Sequence, residues 1–253
     1  MKVKELVIEW GFDIDKGKLQ SLDKSLHNTK NIALAVGTAV ATIGASAGFL
    51  INQAGKMEQW TIAFETMLGS AEKAQQLLKD IKDFAKTTPF ELPGVITASK
   101  QLLAVGVAQE KIIPNLKALG DVAAGLGVPL DRLILNFGQI KTQGKLTGRE
   151  LRDFAVAGVP LLAELSKNLN KSEVEIQEMI SRGEIGFPIV EQAFKSLTSE
   201  GGRFADLMDK QSKSLFGIIS NIKDVLIQFA IDIGDSLLGD TKAALKDFLN
   251  FLE

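Results

Sequence analysis

Hydrophobic positions along this chain change their spacing once, near the N-terminus, from every second residue to every third or fourth. Leu6, Ile8, Trp10, Phe12 and Ile14 alternate with Val7, Glu9, Gly11 and Asp13, the pattern of a half-buried strand. A lone strand leaves its backbone donors and acceptors without partners. Residues 1–15 are therefore expected either to pair, with another chain, a second copy or a strand elsewhere, or to lie as an extended arm on the body. After Asp15 the spacing is helical: Leu19, Leu22 and Leu26 share one face. Only polar residues, and no proline, separate them from the uncharged run IALAVGTAVATIGASAGFLI at 32–51. One long helix over 16–55 is the economical reading.

From Met57 onward the pattern is of short amphipathic helices set apart by glycine and proline. Gly69-Ser70 introduces a helix through Ala85, with Leu77, Leu78, Ile81, Phe84 and Ala85 on its apolar face, and Thr87-Thr88-Pro89-Phe90 stops it, since proline disfavours helix in the residue before it. Pro93 lies near the start of the next helix, which runs to about Val105 and ends at Gly106. Another covers Gln109 to Ala124, where Pro114 suits a first turn only if the helix starts later. Pro129 opens a further helix that closes before Gly144. Thr147-Gly-Arg-Glu150 and Ser172-Glu-Val-Glu175 are capping boxes, in which hydroxyl and carboxylate satisfy each other's free amides. Helices are expected to follow at 148–157, 160–169 and 173–181. Ile140-Lys-Thr-Gln-Gly144-Lys-Leu146 echoes Ile180-Ser-Arg-Gly183-Glu-Ile185, either because glycine suits the left-handed position at both helix ends or because a unit is duplicated. Over 215–252 a stripe of Ile222, Leu226, Phe229, Ile233 and Leu237 can pack on the body or against a partner helix, and Gly234 and Gly239 weaken it.

The expected fold is all-α: a multi-helical body of short helices, flanked by longer N- and C-terminal helices and preceded by a short strand. Its divisions are an arm at 1–15, a long helix at 16–55, a helical domain at 56–212 and C-terminal amphipathic helices at 213–253.

Composition narrows the chemistry. Among 253 residues, 29 are basic and 31 acidic, for a formal net charge of -2, which argues against specific nucleic-acid binding. Cysteine and tyrosine are absent and His27 is the single histidine, so thiolate catalysis and multi-histidine or thiolate metal sites are excluded. Any catalysis would fall to carboxylates and lysines. The paired carboxylates Glu173/Glu175 and Asp232/Asp235 sit in caps or on solvent faces, where acids are expected anyway. Ser21-Leu-Asp-Lys24 matches SxxK in letters only. The glycines between Gly120 and Gly127 follow no strand and form no phosphate loop. No catalytic, cofactor or metal residue is expected. The uncharged run is long enough to span a bilayer, and Gly44 and Gly48 give it a small-xxx-small pattern. It is poor in leucine, and such helices also pack inside bundles.

A set of strings carries a more specific signal. Phe64-Glu-Thr-Met-Leu-Gly69-Ser leads into Asp83-Phe-Ala-Lys-Thr-Thr88-Pro89-Phe90-Glu-Leu. Then come Gln101-Leu-Leu-Ala-Val-Gly106, Leu119-Gly120-Asp121-Val-Ala-Ala, Gly138-Gln139-Ile, Gly144-Lys-Leu, Ala157-Gly-Val-Pro160, Gly201-Gly202-Arg-Phe204 and Met208-Asp-Lys-Gln-Ser, ahead of Gly217-Ile-Ile-Ser-Asn. Each string alone is a common cap or turn. In this order, over about Lys56 to Asp224, they resemble the domain at the N-terminal end of phage and prophage tail tape measure proteins.

That resemblance implies a structural, non-catalytic protein that helps set tail length during assembly. It implies partners in the tail tube, the tail tip or baseplate and tail assembly chaperones, with assembly in the bacterial cytoplasm and a place inside the tail. Such proteins are usually much longer. A helix of this whole chain would reach only about 380 Å, so a piece of a longer protein or an unusually short member is expected. Self-association is expected through Leu6, Ile8, Trp10 and Phe12, through Gly44 and Gly48, or through the C-terminal stripe. Two other readings are a membrane-active protein inserting 32–51, testable by flotation with liposomes, and a carboxylate-dependent cell-wall hydrolase, testable by zymography.

Overall fold

The chain punctuates its helices with residues that fix backbone geometry, and those residues set the architecture. The computed structural model describes residues 47–214 and scattered positions from 217 to 242. In chain order the helices are α1 (Ala47–Leu68), α2 (Ala71–Lys86), α3 (Leu92–Ala104), α4 (Gln109–Leu126), α5 (Leu130–Gln143), α6 (Gly148–Val156), α7 (Leu161–Leu169), α8 (Glu173–Arg182), α9 (Phe187–Thr198) and α10 (Leu207–Ser212). The described positions from 217 to 232 are also helical. Among the described residues the only pairing of extended backbone is an isolated antiparallel bridge, Lys145 to Gly186. The fold is all-α. The alternating segment at 1–15 and the Ile222–Leu237 stripe lie outside the described residues, as do residues 32–46 of the uncharged run.

Most boundaries follow the sequence reading. Ser70 caps α2 by accepting from the Lys73 amide, and both capping boxes form, at Thr147/Glu150 and Ser172/Glu175. Pro93 falls in the first turn of α3. A single closing device ends several helices, a left-handed glycine followed by a residue whose amide reaches back a full turn. At the end of α3, Gly106 (φ 78°) donates to the Leu103 carbonyl at 2.9 Å and Val107 to Leu102 at 3.0 Å. The same pair of bonds recurs at Gly127/Val128, Gly158/Val159 and Gly183/Glu184.

One boundary differs. The helix expected to stop at Gly55 runs on to Leu68. Ala54 and Phe64 are buried, and Met57, Trp60 and Leu68 pack on the same core, so one helical face continues through Gly55 and outweighs that residue's weak propensity. The body thus begins within α1 and not at residue 56. Helix α4 starts at Gln109, as the spacing predicts, which leaves Pro114 inside it. Proline there forfeits the bond to the Glu110 carbonyl, and both residues are exposed, so water can take that carbonyl.

Helix α4 is the hub, packing against α2, α3, α5, α9 and α10. On α5, α6 and α9, Phe137, Phe187, Phe154 and Phe194 meet edge to face. Phe194 lies 5.7 Å from Phe137 and 5.1 Å from Phe154 between ring centroids, and Phe137 lies 4.8 Å from Phe187. The two echoing segments pair beside this cluster. Leu146 donates its amide to the Ile185 carbonyl at 2.8 Å, and Phe187 to the Gly144 carbonyl at 3.3 Å. With Lys145 bridged to Gly186, Leu146 stands opposite Ile185, its own counterpart in the echo, and both are fully buried. Both left-handed glycines, Gly144 and Gly183, turn their chains into this bridge.

The α8 box gives a direct test of local capping. Ser172 Oγ accepts from the Glu175 amide at 3.3 Å, while Glu175 accepts from the Ser172 amide at 2.8 Å. Ser172→Ala is expected to destabilise the chain by about 1 kcal/mol, read from the urea midpoint. An unchanged midpoint would show that α8 is held by packing alone.

Candidate functional site

Among the described residues, side chains that could do chemistry are not gathered in one place. Among the described residues no group of three or more acidic or histidine side chains could hold a metal ion. Glu175 is spent on its cap, and its carboxyl is held below the usual range by the Ser172 amide and hydroxyl and by Lys171. Asp232 accepts from Gln228 Nε2 at 2.8 Å. Asp235, Ser21, Lys24 and His27 lie outside the described residues. Glu150 is buried, yet its carboxyl is also held low. Burial alone would raise it, but hydrogen bonds from Thr147 and Gln143 and from the cap amides outweigh that cost. Thr147 Oγ1 donates to Glu150 Oε2 as part of that cap.

The structure instead brings several of the ordered strings to one junction, where a strap over 199–214 crosses α4. On α4, Gly120 and Gly125 leave room for side chains from the strap. A Cβ on Gly120 would stand 2.4 Å from Met208 Sδ and 3.1 Å from Phe90, and one on Gly125 would stand 2.6 Å from the Phe204 ring. Phe90, Gly120 and Met208, from three separate strings, thus share one contact, and Phe204, from a fourth, lies against Gly125. Gln211 Nε2 donates to the Ala124 carbonyl at 2.7 Å.

Asp121 fastens this junction. The strap's short helix, α10, begins after Asp206, a left-handed residue (φ 55°) whose own side chain caps nothing. The free amide at the helix start is taken by Asp121 from the other side of the contact: Oδ1 accepts from the Met208 amide at 2.8 Å. This is an N-cap supplied in trans, and it places a carboxylate at the positive end of a helix. Asp121 is 1% exposed. Burial pushes its carboxyl up, Asp206 adds to that, and the Met208 amide and Lys117 pull it down, leaving it above the ordinary carboxylate range.

A second trans cap lies at the start of α3. Glu91, the residue before that helix, makes no side-chain cap bond. Asp224, from the helical positions after the strap and 3% exposed, accepts from the Leu92 amide at 3.4 Å. Asp224 was not singled out from the sequence, and no local signal could have found it, because its partner lies 132 residues away. Met208 and Gly125 were missed as contact residues for the same reason.

The remaining string positions serve single joints. Gly69, Gly106 and Gly144 take left-handed conformations at helix ends, and Gly201 does so within the strap (φ 78°). Thr88 and Phe64 are buried, Pro89 and Phe90 form the turn into α3, and Pro160 precedes α7. A Cβ at Gly138 would stand in ordinary contact with Val105, at 3.5 Å, and Gln139 accepts from Arg149 Nη2 at 3.1 Å. Of the positions expected to mediate self-association, Gly48 falls within α1 and has no side chain to place. Gly44 and the rest lie outside the described residues. Among the described residues no helix is long and apolar enough to cross a membrane.

Compared with known proteins, residues 48–235 match the family described as tape measure protein. No curated protein and no solved structure matches.

Proposed function

The chain belongs to the tape measure protein family, and from that premise we propose that it acts as a structural, non-catalytic domain of a phage tail, helping to set tail length and anchoring the scaffold at the tail tip or baseplate. The observation that carries this reading is that the family match coincides with one helical body in which the ordered strings form joints and caps. The strings build helix ends, a glycine-floored contact and the trans cap at Asp121, and among the described residues none assembles acid–base or metal-binding chemistry. A domain whose distinctive residues all maintain shape suits a role carried by surfaces. The tail tube, tip or baseplate and assembly chaperones are the proposed partners, with self-association and assembly in the bacterial cytoplasm.

The test is genetic and visual. In a tailed particle encoding this protein, in-frame removal of residues 47–235 is expected to abolish tails or spread their lengths, as measured by electron microscopy. Tails of unchanged length and number would overturn the reading. Light scattering of the purified chain tests self-association separately, and a concentration-independent monomer would count against it.

A further inference from the structure

The strap is held to α4 by few attachments, and one of them is a group that water would change. Along 199–214 the bonds to α4 include the Met208 amide to Asp121, to which the Leu207 amide also contributes, and Gln211 to the Ala124 carbonyl. The apolar grip consists of Met208 on Gly120 and of Phe204 and Leu207 on Gly125. Residues on α4 itself are held independently: Lys111 Nζ and Asn115 Nδ2 bond the Glu191 carboxylate of α9 at 2.7 and 3.0 Å.

We propose that the strap 199–214 is a lid that lifts from α4 while the helical body stays folded, with Asp121 as its proton-sensitive catch. Lifting uncovers the seat floored by Gly120 and Gly125 and returns Asp121 to water. The second oxygen, Oδ2, is buried without a hydrogen-bond partner, so the closed lid holds a carboxylate that is half satisfied. The charges that face it are Lys117, from α4, and Asp206, from the strap. The sign follows from burial. With the lid closed the carboxyl titrates above its ordinary value, and with the lid open it titrates at that value. The closed form therefore holds the extra proton in the interval between the two. Closure is strongest at acidic pH and weakens as pH rises through the closed-lid value. This inference does not depend on the tail role.

Met208 supplies the probe. Its side chain is 3% exposed under the lid, whereas Met67 is 41% exposed on α1, and peroxide oxidises methionine according to access. The experiment follows oxidation of Met208 relative to Met67 in the full chain from pH 4 to 8 by peptide mass spectrometry. In the wild type the Met208 rate is expected to rise with pH. Asp121→Asn keeps the acceptor and removes the charge, so its Met208 rate is expected to stay slow and flat. Asp121→Ala removes the cap, and its rate is expected to be flat and about tenfold faster, the effect of one lost cap. Hydrogen exchange of α4 and α9 should be unchanged throughout. A wild-type rate that is flat, a pH dependence that persists in Asp121→Asn, or Met208 oxidation that tracks exchange of α9 would overturn the proposal.

Discussion

Phe194→Ala is expected to destabilise the chain by about 3–5 kcal/mol, the range for removing a fully buried phenylalanine. The size follows from where the ring sits. Phe194 is 0% exposed and meets Phe137 and Phe154 edge to face, so truncation opens a void facing two other rings. Those rings belong to α5 and α6, while Phe194 belongs to α9, and relaxation in one helix cannot close a gap bounded by three. The edge-to-face contacts add about 0.5–1.5 kcal/mol each beyond burial. Domains are stable by only about 5–15 kcal/mol, so this loss removes a large fraction of the total. Urea unfolding followed by circular dichroism measures the loss, with Val174→Ala, at a position 65% exposed, as a control expected within about 0.5 kcal/mol of the parent. A loss below about 1 kcal/mol for Phe194→Ala would mean that the α5–α6–α9 cluster is not the centre of the core.

Local punctuation explains why so many helix boundaries could be read in advance. A capping box occupies four consecutive residues, and a left-handed closure is decided by one glycine and the residue after it. Thr147, Ser172, Gly106 and Gly183 therefore declare their roles without knowledge of the fold. Gly55 shows the opposite case: the same residue type ends nothing, because Ala54, Met57, Trp60 and Phe64 carry one buried face past it. The interactions that organise the strap were out of reach. Asp121 lies 87 residues from Met208, and its role depends on two helices being brought end to side. The echo at Gly144 and Gly183 was visible as letters, but that Leu146 and Ile185 face one another could emerge only once both turns were placed.

These long-range contacts also explain why the ordered strings look ordinary one at a time. Leu119-Gly120-Asp121 reads as a stretch of helix, and Met208-Asp209-Lys210 as another. Together they are two halves of one joint: the glycine makes space, the methionine fills it, and the aspartate takes the amide exposed by the neighbouring turn.

Gly202→Ala should be the most damaging substitution in the strap, and the contrast with its neighbour shows why. A Cβ at Gly202 would lie 2.5 Å from the Leu197 carbonyl oxygen, 2.7 Å from that carbonyl carbon and 2.7 Å from the Ser196 carbonyl oxygen. All three atoms are backbone of the last turn of α9, so no side chain can swing aside. Either α9 must fray or the strap must leave, and in both cases the bond from the Phe204 amide to the Leu197 carbonyl, 2.9 Å long, is lost. The expected cost is about 3 kcal/mol, the upper end for overpacking. Gly201 has nothing within 4 Å of its Cβ position, but its φ of 78° is left-handed. Gly201→Ala should therefore cost only about 1 kcal/mol, and Gly201→Asn less, because asparagine tolerates that conformation. Asparagine at 202 should be at least as damaging as alanine there, since the obstacle is space and not backbone angle. Thermal unfolding of the four variants measures the order. Equal losses for Gly201→Ala and Gly202→Ala would show that the strap crosses the end of α9 less closely than the backbone positions require.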